Sequence, residues 1–160
     1  MALSDYIAIM RDGEIVQWGT PREIYRHPVN TYVAGFVGKP RMSFVRGRIE
    51  HTPGGARLVG DGLQIGLGRR SLEAGRQVTA GIRAEDATLA ADGAPGIDAV
   101  VEIVEPIGAD TYVDVRAGDA TLVFRTHPDA DVTPGASVRI AIVPQAVHLF
   151  DTADGTRLDG

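Results

Sequence analysis

The sequence predicts a mainly β chain: a small barrel, or a pair of them, preceded by a β-hairpin and two short helices. Three observations carry this. From Phe44 onward, short runs rich in Val, Ile, Leu and Thr recur between Gly, Pro and Asp clusters. Within the runs the apolar residues alternate, as in Val138, Ile140 and Ile142 or Leu122 and Phe124. Stretches with a helical period are nearly absent beyond residue 38.

The elements follow in order. Tyr6 to Met10 is a short apolar run, Asp12-Gly13 supplies a tight turn, and Glu14 to Trp18 is a second strand. Thr20 is a good N-cap, Pro21 fits the first helical position, and Glu23 stands where a capping box places its carboxylate. That helix is short, because His27-Pro28 disfavours continuing it. Asn30 caps a second short helix, predicted to bury Val33, Phe36 and Val37 on one face and to stop at Gly38. Lys39-Pro40 reads as a linker. Nine strands are then expected, at 44–50, 56–59, 63–67, 77–83, 98–106, 111–116, 121–125, 137–143 and 147–150. Arg69 to Gly75 could form one helical turn. No tandem repeat or low-complexity tract is visible.

Two textures result: residues 1–38, a hairpin with two small helices, and residues 39–160, the β domain. A lone two-stranded hairpin is marginal in water, so the first part must pack on the barrel, swap between chains, fray, or belong to a larger sheet.

Composition narrows the function. The chain has 160 residues, 44% hydrophobic and 23% charged, so a packed core is expected. The net charge of −5 argues against nucleic acid or an anionic membrane as partner. Without cysteine there are no disulfides, thiolate nucleophiles or Cys-based zinc sites. No apolar run is long enough to span a bilayer as a helix, and the N-terminus lacks the basic and apolar regions of a signal peptide.

His27, His51, His127 and His148 have no short-range spacing suited to metal and read as structural or surface residues. Glu102 and Glu105 bracket a strand that Pro106 is expected to end; a solvated edge fits better than acid–base work. The arginines at 41, 46 and 48, and the pair at 69 and 70, could suggest a single-strand-binding barrel, but aromatics are only 6% of the chain. Gly60 to Gly68 reads as a turn with a bulge, because no helix follows to cradle phosphate. Arg83 and Glu85, two apart in "GIRAED", are expected to form a structural ion pair or turn bond, with a ligand or inter-subunit contact as the sharper alternative.

The N-terminal stretch resembles the end of the nucleotide-binding domain of ABC importer ATP-binding subunits of the maltose, trehalose and glycerol-phosphate type. The matching residues are Leu3, Asp5, Ile7, Ile9, Met10, Gly13, Ile15, Gln17, Gly19, Pro21, Ile24, Tyr25, Pro28, Phe36, Val37 and Gly38. "GIRAED" (Gly81–Asp86), with Ala84 where the family usually has proline, "VEPIGADTYV" (Val104–Val113) and "HLFD" (His148–Asp151) are similar to its later signatures.

The resemblance implies a TOBE-type, OB-like regulatory barrel in residues 39–160 and a remnant of the ATPase domain in residues 1–38. It implies ATP and Mg as cofactors of a full-length subunit, with none in this chain. The Walker A loop is missing here: in "GFVGKP", Gly35 has the wrong spacing and Pro40 replaces the hydroxyl residue. The Walker B carboxylates, signature motif and switch histidine would lie upstream of Met1, so the chain is expected not to be an enzyme by itself. Trp18 and Phe36 would pack on the ATPase core and become exposed apolar surface in its absence. The implied partners are that core, a homodimer partner through the regulatory domain, and permease subunits, on the cytoplasmic side of the inner membrane. Small-ligand sensing of an oxyanion or sugar phosphate is the alternative, with Arg83, Glu85 and Arg116 as regulatory or ligand candidates.

Overall fold

The computed structural model describes residues 5–158; Leu3, one of the residues that carry the resemblance, lies outside them. The chain is mainly β. Strands β1 (Ile7–Arg11) and β2 (Glu14–Gly19) form the expected hairpin. Asp12 and Gly13 both have positive φ, 51° and 79°, as a two-residue turn between twisted strands requires. Helix α1 (Pro21–Arg26) opens on a complete capping box: Thr20 Oγ1 accepts from the Glu23 N–H, and the Glu23 carboxylate accepts from the Thr20 N–H. Helix α2 (Thr31–Phe36) is capped by Asn30 Oδ1, which accepts from the Val33 N–H.

One helical face differs from expectation. Val33 and Val37 are buried, but Phe36 is 63% exposed and Ala34 takes its place inside. At about 100° per residue Val33, Val37 and Ala34 occupy one arc of the helix, and Phe36 falls on its flank, outside that arc.

The remaining strands are β3 (Ser43–Thr52), β4 (Gly55–Gly60), β5 (Leu63–Gly68), β6 (Gln77–Ile82), β7 (Ala87–Leu89), β8 (Ile97–Ile107), β9 (Asp110–Ala117), β10 (Ala120–Thr126), β11 (Ser137–Ile142) and β12 (His148–Asp151). They make two five-stranded antiparallel sheets, ordered β12-β6-β3-β4-β5 and β10-β9-β8-β11-β7. Their inner faces share one core, in which Leu58, Leu122, Phe124, Ile140 and Leu149 are fully buried. The whole is a nearly closed OB-like barrel.

Two sequence expectations are corrected, and one short strand is added to those expected. Residues 69–75 form no helical turn. Strand β7 was not foreseen, being only three residues long. Pro106 does not end β8 but sits within it opposite Thr111. Proline is tolerated there because β11 covers β8 only from Ile97 to Val100, so no strand on that side needs its missing N–H.

The two sheets are copies of one topology. Strands β3, β4, β5 and β6 correspond to β8, β9, β10 and β11, and each half ends in a 3-10 turn, Ala84–Asp86 or Pro144–Ala146. The strand after each turn crosses to the other half: β7 pairs with β11, and β12 pairs with β6. Details repeat as well. Gly75 donates to the Ile49 carbonyl as Gly135 donates to that of Val101, and both glycines have positive φ. No repeat was legible in the sequence. Over the matched segments 72–89 and 132–149, only Gly75/Gly135, Val78/Val138, Ile82/Ile142 and Leu89/Leu149 are identical.

Candidate functional site

The site lies where the two short helices meet the first 3-10 turn. Helix α1 ends at Arg26 and α2 at Phe36, and the last carbonyls of each need donors from elsewhere. Arg83, directly after β6, supplies them. Its Nη2 donates to the Tyr25 carbonyl at 2.9 Å and its Nη1 to the Val37 carbonyl at 2.9 Å. One cation thus closes the C-terminal ends of two helices, where the helix dipole favours positive charge.

Arg83 is only 3% exposed. Its guanidinium lies over the Tyr25 ring, 3.7 Å from the centroid. The Tyr25 hydroxyl donates to the Glu85 carboxylate, which closes a ring of contacts through the turn. Gly38 makes the approach possible: its φ is +109°, and a Cβ there would stand 2.9 Å from Arg83 Nη1 and 3.2 Å from the Tyr25 ring.

Electrostatics follow from burial. Desolvation pulls the Arg83 pKa below its ordinary value, while Tyr25, Glu85 and Asp86 oppose that fall. Tyr25 is pushed up to about 12, first by burial, then by its bond to Glu85. Burial also raises Asp86, and the Glu85 charge adds to this.

Two further contacts fasten the helices to the barrel. The C-terminal strap runs beside them: Thr31 N–H donates to the Gly155 carbonyl at 2.9 Å and Arg157 N–H to that of Val29 at 3.0 Å. Below, Ala34 packs with Met42 and Phe150. The hairpin and helices keep a small core of their own, Ile9, Ile24, Val33 and Val37.

Of the sequence candidates, Arg83 and Glu85 come together, with Tyr25 between them. Arg116 does not join them. It lies on β9, exposed, paired to Glu102 Oε1 at 3.1 Å, and lines an open groove with Arg139 and Ser137. Among the described residues no group of three or more His, Asp or Glu could hold a metal, and no helix is long and apolar enough to cross a membrane. Sequence reasoning missed Tyr25 and the Val37 carbonyl as parts of the site. Gly38 was the available signal, since a glycine past a helix end marks positive φ and close approach.

The outer face of the hairpin is apolar. Tyr6 and Trp18 stack at 4.7 Å with Trp18 64% exposed, and Met10 and Ile15 are exposed with them.

Comparison with known proteins places these features in context. The TOBE domain family matches residues 80–150. The chain is 41% identical over 157 residues to the sulfoquinovosyl glycerol transport ATP-binding protein SmoE of Agrobacterium fabrum, covering 94% of this chain and 43% of that protein. It is 37% identical to the sn-glycerol-3-phosphate import ATP-binding protein UgpC of Cereibacter sphaeroides, covering 99% and 44%. It is 35% identical to the trehalose/maltose import ATP-binding protein MalK of Thermococcus litoralis, covering 97% and 44%. The chain therefore spans less than half the length of these relatives. Among solved structures it resembles the cytoplasmic molybdate-binding protein ModG, with a TM-score of 0.53 at 20% identity, over 66% of this chain and 93% of that one. That likeness is one of fold.

Proposed function

We propose, from the premise that the chain carries a TOBE domain and corresponds to the C-terminal part of ABC importer ATP-binding subunits, that it is a regulatory and assembly module working through protein–protein contact. The observation that carries this is the Arg83 joint. A guanidinium fixed to two helix ends makes the helices and the barrel move together, so displacement of one is felt by the other. Differential contact in two states is all that linkage requires to bias a distant equilibrium.

In this reading residues 1–38 are the end of the ATP-binding domain and residues 39–160 the regulatory domain. The exposed Tyr6, Trp18, Met10, Ile15 and Phe36 form the face that meets the rest of the ATP-binding region. ATP and Mg would be held by that region, and the residues here perform no bond chemistry. The regulatory barrel pairs with a second copy, and the assembly sits on the cytoplasmic side of the membrane, held by permease subunits.

The test is a chimera in which this chain replaces the matching segment of the Agrobacterium relative. Transport-coupled ATP hydrolysis should survive the replacement and lose its coupling on Arg83→Ala. Coupling indifferent to that substitution contradicts the reading.

Oxyanion or sugar-phosphate sensing is favoured only by the fold likeness. Both arginines considered for it are engaged, Arg83 with two carbonyls and Arg116 with Glu102. Titration with molybdate, sulfate and sugar phosphates should show no saturable heat.

A further inference from the structure

The internal duplication shows where the two halves differ. Ile49 and Val101 are counterparts, each bonded to the glycine that precedes β6 or β11, and they face Leu58 and Val115 across their hairpins. Residues 50–57 close the first hairpin and residues 102–114 the second, eight residues against thirteen. The added length makes an arm, Ile103 to Asp114, that barrel closure does not require, since the first half closes without one.

The inner face of the arm belongs to the barrel. Val113 is fully buried, as is Phe124 opposite it on β10, and Val104 packs on the same core. The outer face is open. Cross-strand pairing sets Ile103 opposite Asp114, Glu105 opposite Tyr112 and Ile107 opposite Asp110, so these six side chains share one side of the sheet. Ile103 and Ile107 are both more than half exposed. With Glu102, that side carries four carboxylates against two cations: Arg116, which Glu102 already holds, and Arg125, opposite Tyr112 on β10. Asp114 feels the excess. Its carboxyl is raised above the usual range, first by burial and then by Glu105 and Glu102.

We propose that this outer face docks a partner protein that presents lysine or arginine side chains around an aliphatic centre. The inference rests on the protein-contact reading above and names the chemistry of one such contact. The two exposed isoleucines supply the apolar area. The carboxylates around them fix the sign of the partner and repel nucleic acid and anionic lipid. A second copy related by a two-fold axis would set carboxylate against carboxylate. Strand addition to the free edge of β8 is opposed by Pro106, which has no N–H to offer.

Methyl NMR of the full chain, with its isoleucine methyls labelled, tests this. The probe is a capped peptide of leucines flanked by lysines, at about 1 mM, a concentration that detects weak docking. The Ile103 and Ile107 signals should shift saturably, while those of Ile15, exposed on β2, and of buried Ile65 stay in place. The affinity should fall about fivefold as salt rises from about 50 to about 300 mM. The same peptide with glutamate for each lysine should move no signal, which keeps the test independent of any variant. Glu105→Lys combined with Asp110→Lys should transfer the response to the glutamate peptide. Silence at Ile103 and Ile107, an equal response to the glutamate peptide, or an equal response at Ile15 overturns the proposal. Shifts that grow with protein concentration in the absence of peptide also overturn it, and identify a second copy as the occupant. The Arg83→Ala chimera reads coupling through the joint and not this face, so the two readings can fail separately.

Discussion

Arg83 and Tyr25 meet twice: the guanidinium lies 3.7 Å from the Tyr25 ring centroid, and its Nη2 donates to the Tyr25 carbonyl at 2.9 Å. One residue follows a barrel strand and the other lies in a six-residue helix, so this pair joins the two parts of the chain.

Removing the guanidinium leaves two helix-end carbonyls without their donor. Arg83→Ala should lower stability by about 3 kcal/mol, the scale for hydrogen bonds made by a buried charged group. Arg83→Lys should recover less than half, because an ammonium cannot reproduce the planar fork. Urea unfolding of the three proteins measures both.

Gly38→Ala should destabilise by about 2 kcal/mol, combining a positive φ with a clash at Arg83 Nη1. Gly13→Ala has a smaller positive φ, 79° against 109°, and open space around it, so it should cost less. Thermal melts of the two variants measure the difference.

Tyr25 makes stability fall at high pH. Its pKa rises from 10.0 to about 12 on folding, so the folded state favours the protonated phenol. This contribution is complete below pH 10 and is lost as pH rises toward 12. Tyr25→Phe should remove that portion of the slope, and should cost about 1 kcal/mol at neutral pH for the lost bond to Glu85.

Asp86 and Asp114 work in the same direction at acid pH. Both are raised, chiefly by burial, with neighbouring carboxylates adding to it. Their folded forms favour the proton, so this contribution is present below the ordinary carboxylate range and lost as pH rises. Asp114→Asn should therefore stabilise the chain at pH 7, and the gain should vanish near the ordinary aspartate value of 3.8. Denaturation midpoints across that range give the answer.

Much of the fold was legible because local signals agreed. Asp12-Gly13 and the alternation in Ser137–Ile142 each dictate one backbone form. The second helix was read less well, since six residues give too little period to tell Phe36 from Ala34. The duplication was hidden because packing requires only apolar character at matched positions: Ala80 and Ile140 fill equivalent places with different side chains. The site was half legible. "GIRAED" marked Arg83 and Glu85, but the carbonyls that Arg83 serves lie 46 and 58 residues away in sequence and carry no side-chain signature.

The most direct measurement is native-state hydrogen exchange of the intact chain and of Arg83→Ala, comparing Ile24 and Val33 in the helices with Val45 and Ala80 in the barrel. If the joint makes one mechanical unit, the helix amides in the intact chain open with a free energy close to that of the barrel. In Arg83→Ala they should open well before it. Helix amides that already open independently in the intact chain, or that do not respond to the substitution, would contradict the account.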